Sequence, residues 1–279
     1  MVALPAALDR PGLRLLAAEM LALRSEAQST ARHRPATRRP GALPARPPGA
    51  GMDLRELRAY VEGDDPRRID PSATARTGIP HIRSFHEDRD DTTLLIADFR
   101  APMLWGTGEA FRSVRAGLHL ARIGWQAMMR GGNVGALALT EAGIGAIAAG
   151  QGDRQMAAIA RMFQGEHDLA LTRPEPQGLG LAALSGRAAR MVPPGSRLHL
   201  ATEAQAITEA DAPALARLAR GRRLVISLIV DPAESAPPAR ALAVTDGAAF
   251  RLGRLRPLDL AGDLARLRAL GATVEQVLP

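Results

Sequence analysis

The chain has 279 residues, 46% of them apolar and only 3% aromatic, so a sizeable core must be built from Leu, Ala, Val and Ile. It has no Cys, which excludes disulfides, thiolate metal sites and Cys nucleophiles, and no Lys, all 36 basic residues being Arg. The net charge of +7 is uneven: eight Arg face three acids (Asp9, Glu19, Glu26) in residues 1–50, while 28 Arg face 26 acids in the rest.

Pro11 to about Gln28 reads as a helix, with Leu13, Leu15, Leu16, Met20 and Leu23 on one face. Ser29–Ala50 is rich in Pro, Arg, Gly and Ala without periodicity, as in a linker. Asp53–Tyr60 reads as a short turn or helix, and Glu62-Gly-Asp-Asp-Pro66 is turn chemistry. Pro80–Phe85 alternates as a strand, Asp88–Asp91 forms a polar turn, and the apolar run Thr92–Asp98 is a strand buried on both faces.

A long helix follows from Glu109 to about Met129. Asn133–Thr140 and Ile144–Ala149 form an antiparallel hairpin about Glu141–Gly143. Asp153–Phe163 is a helix with Asp153 as its N-cap, and Leu179–Met191 is another. Arg197–Thr202 is a strand, Ala212–Arg220 a helix, and Arg223–Val230 the strongest strand pattern in the chain. Leu258–Leu270 is a terminal helix and Ala272–Leu278 a last short strand. Strand–helix alternation with long crossovers predicts an α/β, doubly wound, mostly parallel sheet with one antiparallel edge strand.

The stretch Tyr60–Phe85 holds Gly63-Asp64-Asp65, Pro66-Arg67-Arg68-Ile69-Asp70, Thr74-Ala75-Arg76 and Arg83-x-Phe85, and an apolar strand ending at Asp98 follows. These residues resemble the signature of the bacterial domain of unknown function 58 family, from about Leu54 to about Pro232. That resemblance implies a von Willebrand factor A-like domain over residues 92–279. Residues 51–91 would be a signature segment packed on its sheet, and residues 1–50 a helical and linker extension. Genes of the family usually sit beside one for a MoxR-type AAA+ ATPase, so the resemblance implies that partner, with a client protein unspecified. Many relatives carry transmembrane helices before the domain. Here no apolar run reaches the roughly 18–20 residues of a membrane span, and no signal sequence precedes the first helix, so a cytoplasmic protein is expected.

Von Willebrand A domains often bind a divalent cation where the first strand ends in Asp-x-Ser-x-Ser, helped by a loop Thr and a later Asp. The matching residues here are Asp98, Arg100 and Pro102, with Thr202-Glu203 at the later position and Gln177 loosely at the loop position. Neither Arg nor Pro ligates a cation, so the site is expected to be degenerate and no metal or other cofactor is called for. Arg100 either bridges Asp98 and Glu203 in place of the metal or points to solvent.

Asp64, Asp65 and Asp70 interleave with Arg67, Arg68, Arg76 and Arg83, which fits an ion-pair network or a docking surface. Paired carboxylates without a nucleophile give no catalytic reading. The family's usual Trp after Ile-Asp is Pro71 here. Gly143-Ile-Gly145-Ala-Ile-Ala148 matches a dinucleotide fingerprint on paper but does not open a helix. The six histidines are scattered, and His81 and His86 fall on opposite faces of a strand.

The expected function is therefore a non-enzymatic interaction module, with Asp64, Asp65, Arg67, Arg68, Asp70, Arg76, Asp98 and Arg100 as candidate partner-binding residues. The rival is a binder of nucleic acid or anionic surfaces acting through the Arg-rich N-terminal arm. The near absence of aromatics for base stacking makes nucleic acid the less favoured partner.

Overall fold

The computed structural model of the protein describes residues 4–32, 48–62, 64–86, 91–172, 179–245 and 250–279. The expected turn at 88–90, Gly63, Gln177 and most of the expected linker lie outside the described residues. The chain divides into two compact units, Met1–Arg34 with Asp91–Pro279, and Pro35–Asp90.

In chain order the elements are α1 (Ala17–Arg32), β1 (Pro48–Ala59), α2 (Pro71–Thr77), β2 (His81–His86), β3 (Thr92–Asp98), α3 (Arg112–Met129), β4 (Asn133–Thr140), β5 (Gly143–Gly150) and α4 (Gly152–Thr172). Then come α5 (Ala182–Met191), β6 (Arg197–Thr202), α6 (Ala212–Ala219), β7 (Arg223–Ile229), α7 (Pro232–Ser235), β8 (Leu242–Thr245), β9 (Phe250–Gly253), α8 (Ala261–Ala269) and β10 (Thr273–Val277).

The larger unit is built on a six-stranded sheet of order β10-β7-β6-β3-β4-β5, parallel except at the β4–β5 hairpin. This is the von Willebrand A-like, doubly wound layout, and period-two alternation sends successive side chains of each strand to opposite faces of the sheet. Leu95 and Ala97 join Val134 and Ala136 beneath α3 and α4, whereas Leu94 and Ile96 join Leu198, Leu200 and Ile226 beneath α5, α6 and α8. β4 lies on one side of β3 and β6 on the other, so the chain changes winding direction at β3 and opens a crevice at the carboxyl ends of β3 and β6.

The first described residues belong to the core of this unit. Leu15, Met20, Leu23 and Ala27 are buried with α3 and α4, and Trp125 donates its indole N–H to the Met20 carbonyl at 3.0 Å. The helix starts at Ala17, not Pro11, because Gly12 takes φ +80° and lies against the Glu109 carbonyl, where any Cβ would clash. The same contact, with Phe111 N–H donating to Gly12 at 2.8 Å, holds residues 109–111 outside α3. Asp153 is a first-turn acid of α4, which starts at Gly152, and it pairs with Arg24 at 2.9 Å.

Two departures from the sequence reading involve strands. Residues 53–59 belong to β1, paired antiparallel to β2 through register shifts, because cross-strand pairing overrides a locally helix-favouring composition. The β8–β9 hairpin, which pairs outside the main sheet, had no counterpart in the sequence reading.

Ser113 and His167 lie 2.9 Å apart, both fully buried, in an arrangement that resembles a nucleophile and base. The Leu15 amide donates to His167 Nδ1, which leaves Nε2 carrying the proton and donating to Ser113. The pair therefore ties α3, α4 and the N-terminal segment together.

Burial holds the His167 imidazole down at about 4, against an ordinary value of 6.5. Below about pH 6.5 the unfolded chain takes up a proton that the folded protein refuses until about pH 4. The stability is thus intact at neutral pH and falls as the pH drops through that window. His199, likewise pushed down to about 4 by burial, adds to the loss. The urea midpoint should fall between pH 7 and 4.5, and His167→Gln should flatten that slope; an unchanged slope in the variant overturns the assignment. Separately, a Cβ at Gly117 would lie 2.4–3.2 Å from three Leu15 side-chain carbons. Gly117→Ala should therefore destabilise the protein by about 1–3 kcal/mol, although an unobstructed helix position gains up to about 1 kcal/mol from Ala.

Candidate functional site

β3 and β6 run side by side, so Asp98 and Thr202 meet at the mouth of the crevice, both fully buried. The carboxylate of Asp98 is saturated. One oxygen accepts the Arg100 backbone N–H at 3.1 Å and its Nε at 2.9 Å; the other accepts Arg100 Nη2 and the Thr202 hydroxyl, each at 2.7 Å. A carboxylate has about four acceptor positions, and all are taken.

Arg100 is only 8% exposed, so the expectation of a solvated side chain is corrected. The bridge to Glu203 is corrected as well. Instead, the remaining guanidinium donors reach the Leu179 carbonyl at 3.2 Å and the Ala206 carbonyl at 3.1 Å. Burial works against its charge, but the bonds to Asp98 and the charges of Asp98, Asp211 and Glu141 outweigh that cost and raise its pKa. The guanidinium thus joins the end of β3 to the loops before α5 and after β6. Enclosed in this way, Asp98 and Arg100 present no group to a docking partner, contrary to expectation.

Glu203 is buried beside this pair and accepts the Gln205 amide at 2.9 Å. Burial raises its pKa, and the Gln205 bond and the Arg112 charge temper the shift. Pro102 is exposed and supplies only a carbonyl, 3.4 Å from Arg112 Nη1. The donor set does not suit a divalent cation, because the one strand-end carboxylate is spent on a guanidinium and Arg100 and Pro102 stand where hydroxyl ligands would be needed. Among the described residues no group of three or more His, Asp or Glu side chains is placed to hold a metal ion.

Composition and spacing gave no hint of a second cluster in the next loop. Arg112, 3% exposed, forms an ion pair with Glu234, and its guanidinium lies 4.3 Å from the ring centre of Trp105. Asp231, at the end of β7, accepts the Thr107 amide at 2.9 Å and the Ala233 amide at 3.0 Å, and also meets the Thr107 hydroxyl. These contacts fix a loop that leaves Trp105 40% exposed at the carboxyl end of the sheet. Trp-x-x-x-x-x-x-Arg is not a recognisable spacing; only the fold brings the ring and the guanidinium together.

The other predicted site residues all lie in the smaller unit and hold it locally. Asp64 forks Arg58 at 2.7 and 2.8 Å and accepts the Val61 amide, and the Arg58 bonds lower its pKa. Asp65 caps the short turn of Arg67 and Arg68, accepting the Arg67 amide at 3.0 Å. Asp70 is buried and caps α2 through the Ala73 amide at 2.7 Å. Arg67 and Arg76 are exposed, and Arg68 is half-buried.

The layout defines a von Willebrand A-like α/β protein in which the carboxylate at the end of β3 is spent on an internal ion pair. The chain belongs to the family described as "Protein of unknown function DUF58", whose model matches residues 56–250. An uncharacterized protein of Mycobacterium tuberculosis is 45% identical over 60 residues, which is 22% of this chain and 19% of that one. Two solved structures are similar to parts of the chain. Protein BatB from Bacteroides thetaiotaomicron is 13% identical with a TM-score of 0.38 over 67% of this chain and 89% of its own. A von Willebrand factor type A protein from Catenulispora acidiphila is 14% identical with a TM-score of 0.35 over 70% of this chain and 39% of its own. No described helix is long and apolar enough to cross a membrane.

Arg100→Ala leaves a buried carboxylate without its cation and should cost about 3–5 kcal/mol in urea unfolding. Adding Asp98→Asn to that variant should restore part of the loss. A cost below about 1 kcal/mol, the range of an exposed pair, overturns the assignment of this ion pair as the link between the loops.

Proposed function

We propose that the protein is a non-enzymatic interaction module that docks a MoxR-type AAA+ ATPase in the cytoplasm, in the assembly or activation of a client protein. Docking uses the loops at the carboxyl ends of the parallel strands and needs neither metal nor cofactor. The family resemblance supplies the partner. The choice of surface rests on one observation: Trp105 stands exposed there on a loop already fixed by Arg112 and Asp231. A large aromatic held in place in advance loses little freedom on binding, which is why Trp is enriched among the residues that dominate interfaces. The internal pairing of Asp98 with Arg100 supports docking by shape and apolar contact instead of through a bridging cation.

Co-purification with the ATPase, with and without ATP, tests this reading. Trp105→Ala should melt close to the wild type and weaken the complex about 30-fold, the effect of losing a 2 kcal/mol anchor. A complex of undiminished affinity removes this face. No complex with the wild-type protein under any nucleotide condition removes the adaptor function.

A further inference from the structure

The opposite end of the sheet, where the parallel strands begin, carries a cleft of about 630 Å³. Five arginines line it: Arg122 from α3, Arg130 just after it, Arg197 at the start of β6, and Arg222 and Arg223 where β7 begins. Glu275 of β10 is the only carboxylate in the lining. Arg is five of fourteen lining residues but 36 of 279 in the chain, so basic character is concentrated here.

Part of this charge has an internal role. Arg222 donates to the Ala189 and Val192 carbonyls at the end of α5, at 3.1 and 3.0 Å. Arg130 and Arg197 both flank Asp91, at 3.7 and 3.6 Å, and Arg122 meets Glu26 at 3.3 Å. Glu275 is occupied by the Ser227 hydroxyl at 2.6 Å and by His119 at 3.4 Å. Counting Asp91 and Glu26 as well, five arginines face three carboxylates among the described residues, and exposed Arg223 makes no ion pair with any of the three.

We infer that this cleft binds a small anion bearing two or more phosphate groups. The volume falls within the roughly 300–1,000 Å³ of small-ligand sites, and a concave pocket of this size does not admit a nucleic-acid duplex. Guanidinium groups present paired N–H donors that match phosphate oxygens, and a polyanion can span several of them at once. No Phe, Tyr or Trp is among the lining residues, so the phosphate chain itself supplies most of the recognition. Tripolyphosphate, ATP and GTP should therefore bind with similar affinity. The site is independent of the docking surface at the other end of the strands.

Calorimetric titration of the full chain with tripolyphosphate at low ionic strength tests this. One-to-one binding is expected, together with a rise in melting temperature. Arg122 and Arg223 are exposed, and Arg122→Gln with Arg223→Gln should fold normally and bind about tenfold or more weakly. Arg161→Gln with Arg217→Gln, exposed on α4 and α6, removes the same charge elsewhere and should leave binding unchanged. The inference is overturned if the wild type does not bind, if the remote variant weakens binding equally, or if ATP binds far more tightly than tripolyphosphate. Capture by vesicles of anionic phospholipid without tripolyphosphate binding also overturns it, and assigns the arginines to a membrane surface.

Discussion

The carboxyl end of the sheet depends on the fork between Asp98 and Arg100. A carboxylate and a guanidinium removed from water are costly unless every donor and acceptor is matched, and here the matching is nearly complete. Asp98 receives four hydrogen bonds, and Arg100 gives its remaining donors to carbonyls of two separate loops. Arg is suited to this role because its planar fork carries both charge and direction. A divalent cation would organise such loops through oxygen ligands; here a covalently attached cation holds them and cannot dissociate.

The pair sits where it does because of the winding of the sheet. β3 is central, and the chain leaves it in one direction toward β4 and returns on the other side at β6. Loops diverge at such a point, leaving a crevice lined by strand ends. Asp98 and Thr202 come together from residues 104 apart in sequence, brought into reach by the parallel β3–β6 pairing. The same geometry gathers Asp231 after β7 and the Trp105 loop after β3.

Much of this was legible in the sequence, in proportion to how local the cause was. The mostly apolar run Thr92–Asp98, the β4–β5 hairpin and the strand at 223–229 announce themselves through their apolar patterns and the turn between β4 and β5. That Asp98 is followed directly by Arg100 and Pro102, which cannot ligate a cation, was legible from residue type alone. The partners of Arg100 were not, since both are backbone carbonyls and a carbonyl leaves no mark on residue type. Glu203, chosen by analogy with an acidic ligand, accepts a nearby amide instead. β1 was misread because its Leu, Arg, Glu and Ala content favours a helix and only pairing with β2 overrides it. The packing of the N-terminal helix was half legible: its apolar stripe is visible, but only the fold supplies the Gly117 notch that receives Leu15.

The two ends of the sheet differ in charge, and the helices explain most of the difference. In a doubly wound fold the helices run antiparallel to the strands, so their amino termini gather at the carboxyl ends of the strands and their carboxyl termini at the opposite end. The partial charges of helix ends favour acids at the first and cations at the second. Asp211 accepting the Ala182 amide at the start of α5, and Arg222 donating to carbonyls at its end, are the two halves of that arrangement on one helix. At the acidic end Asp98 and Glu234 are answered from within by Arg100 and Arg112, and Trp105 is left partly exposed. At the basic end, among the described residues, the helix carbonyls and three carboxylates leave an arginine surplus around an open cleft. A surplus of cations in a concavity is the condition under which an anion must come from outside the chain.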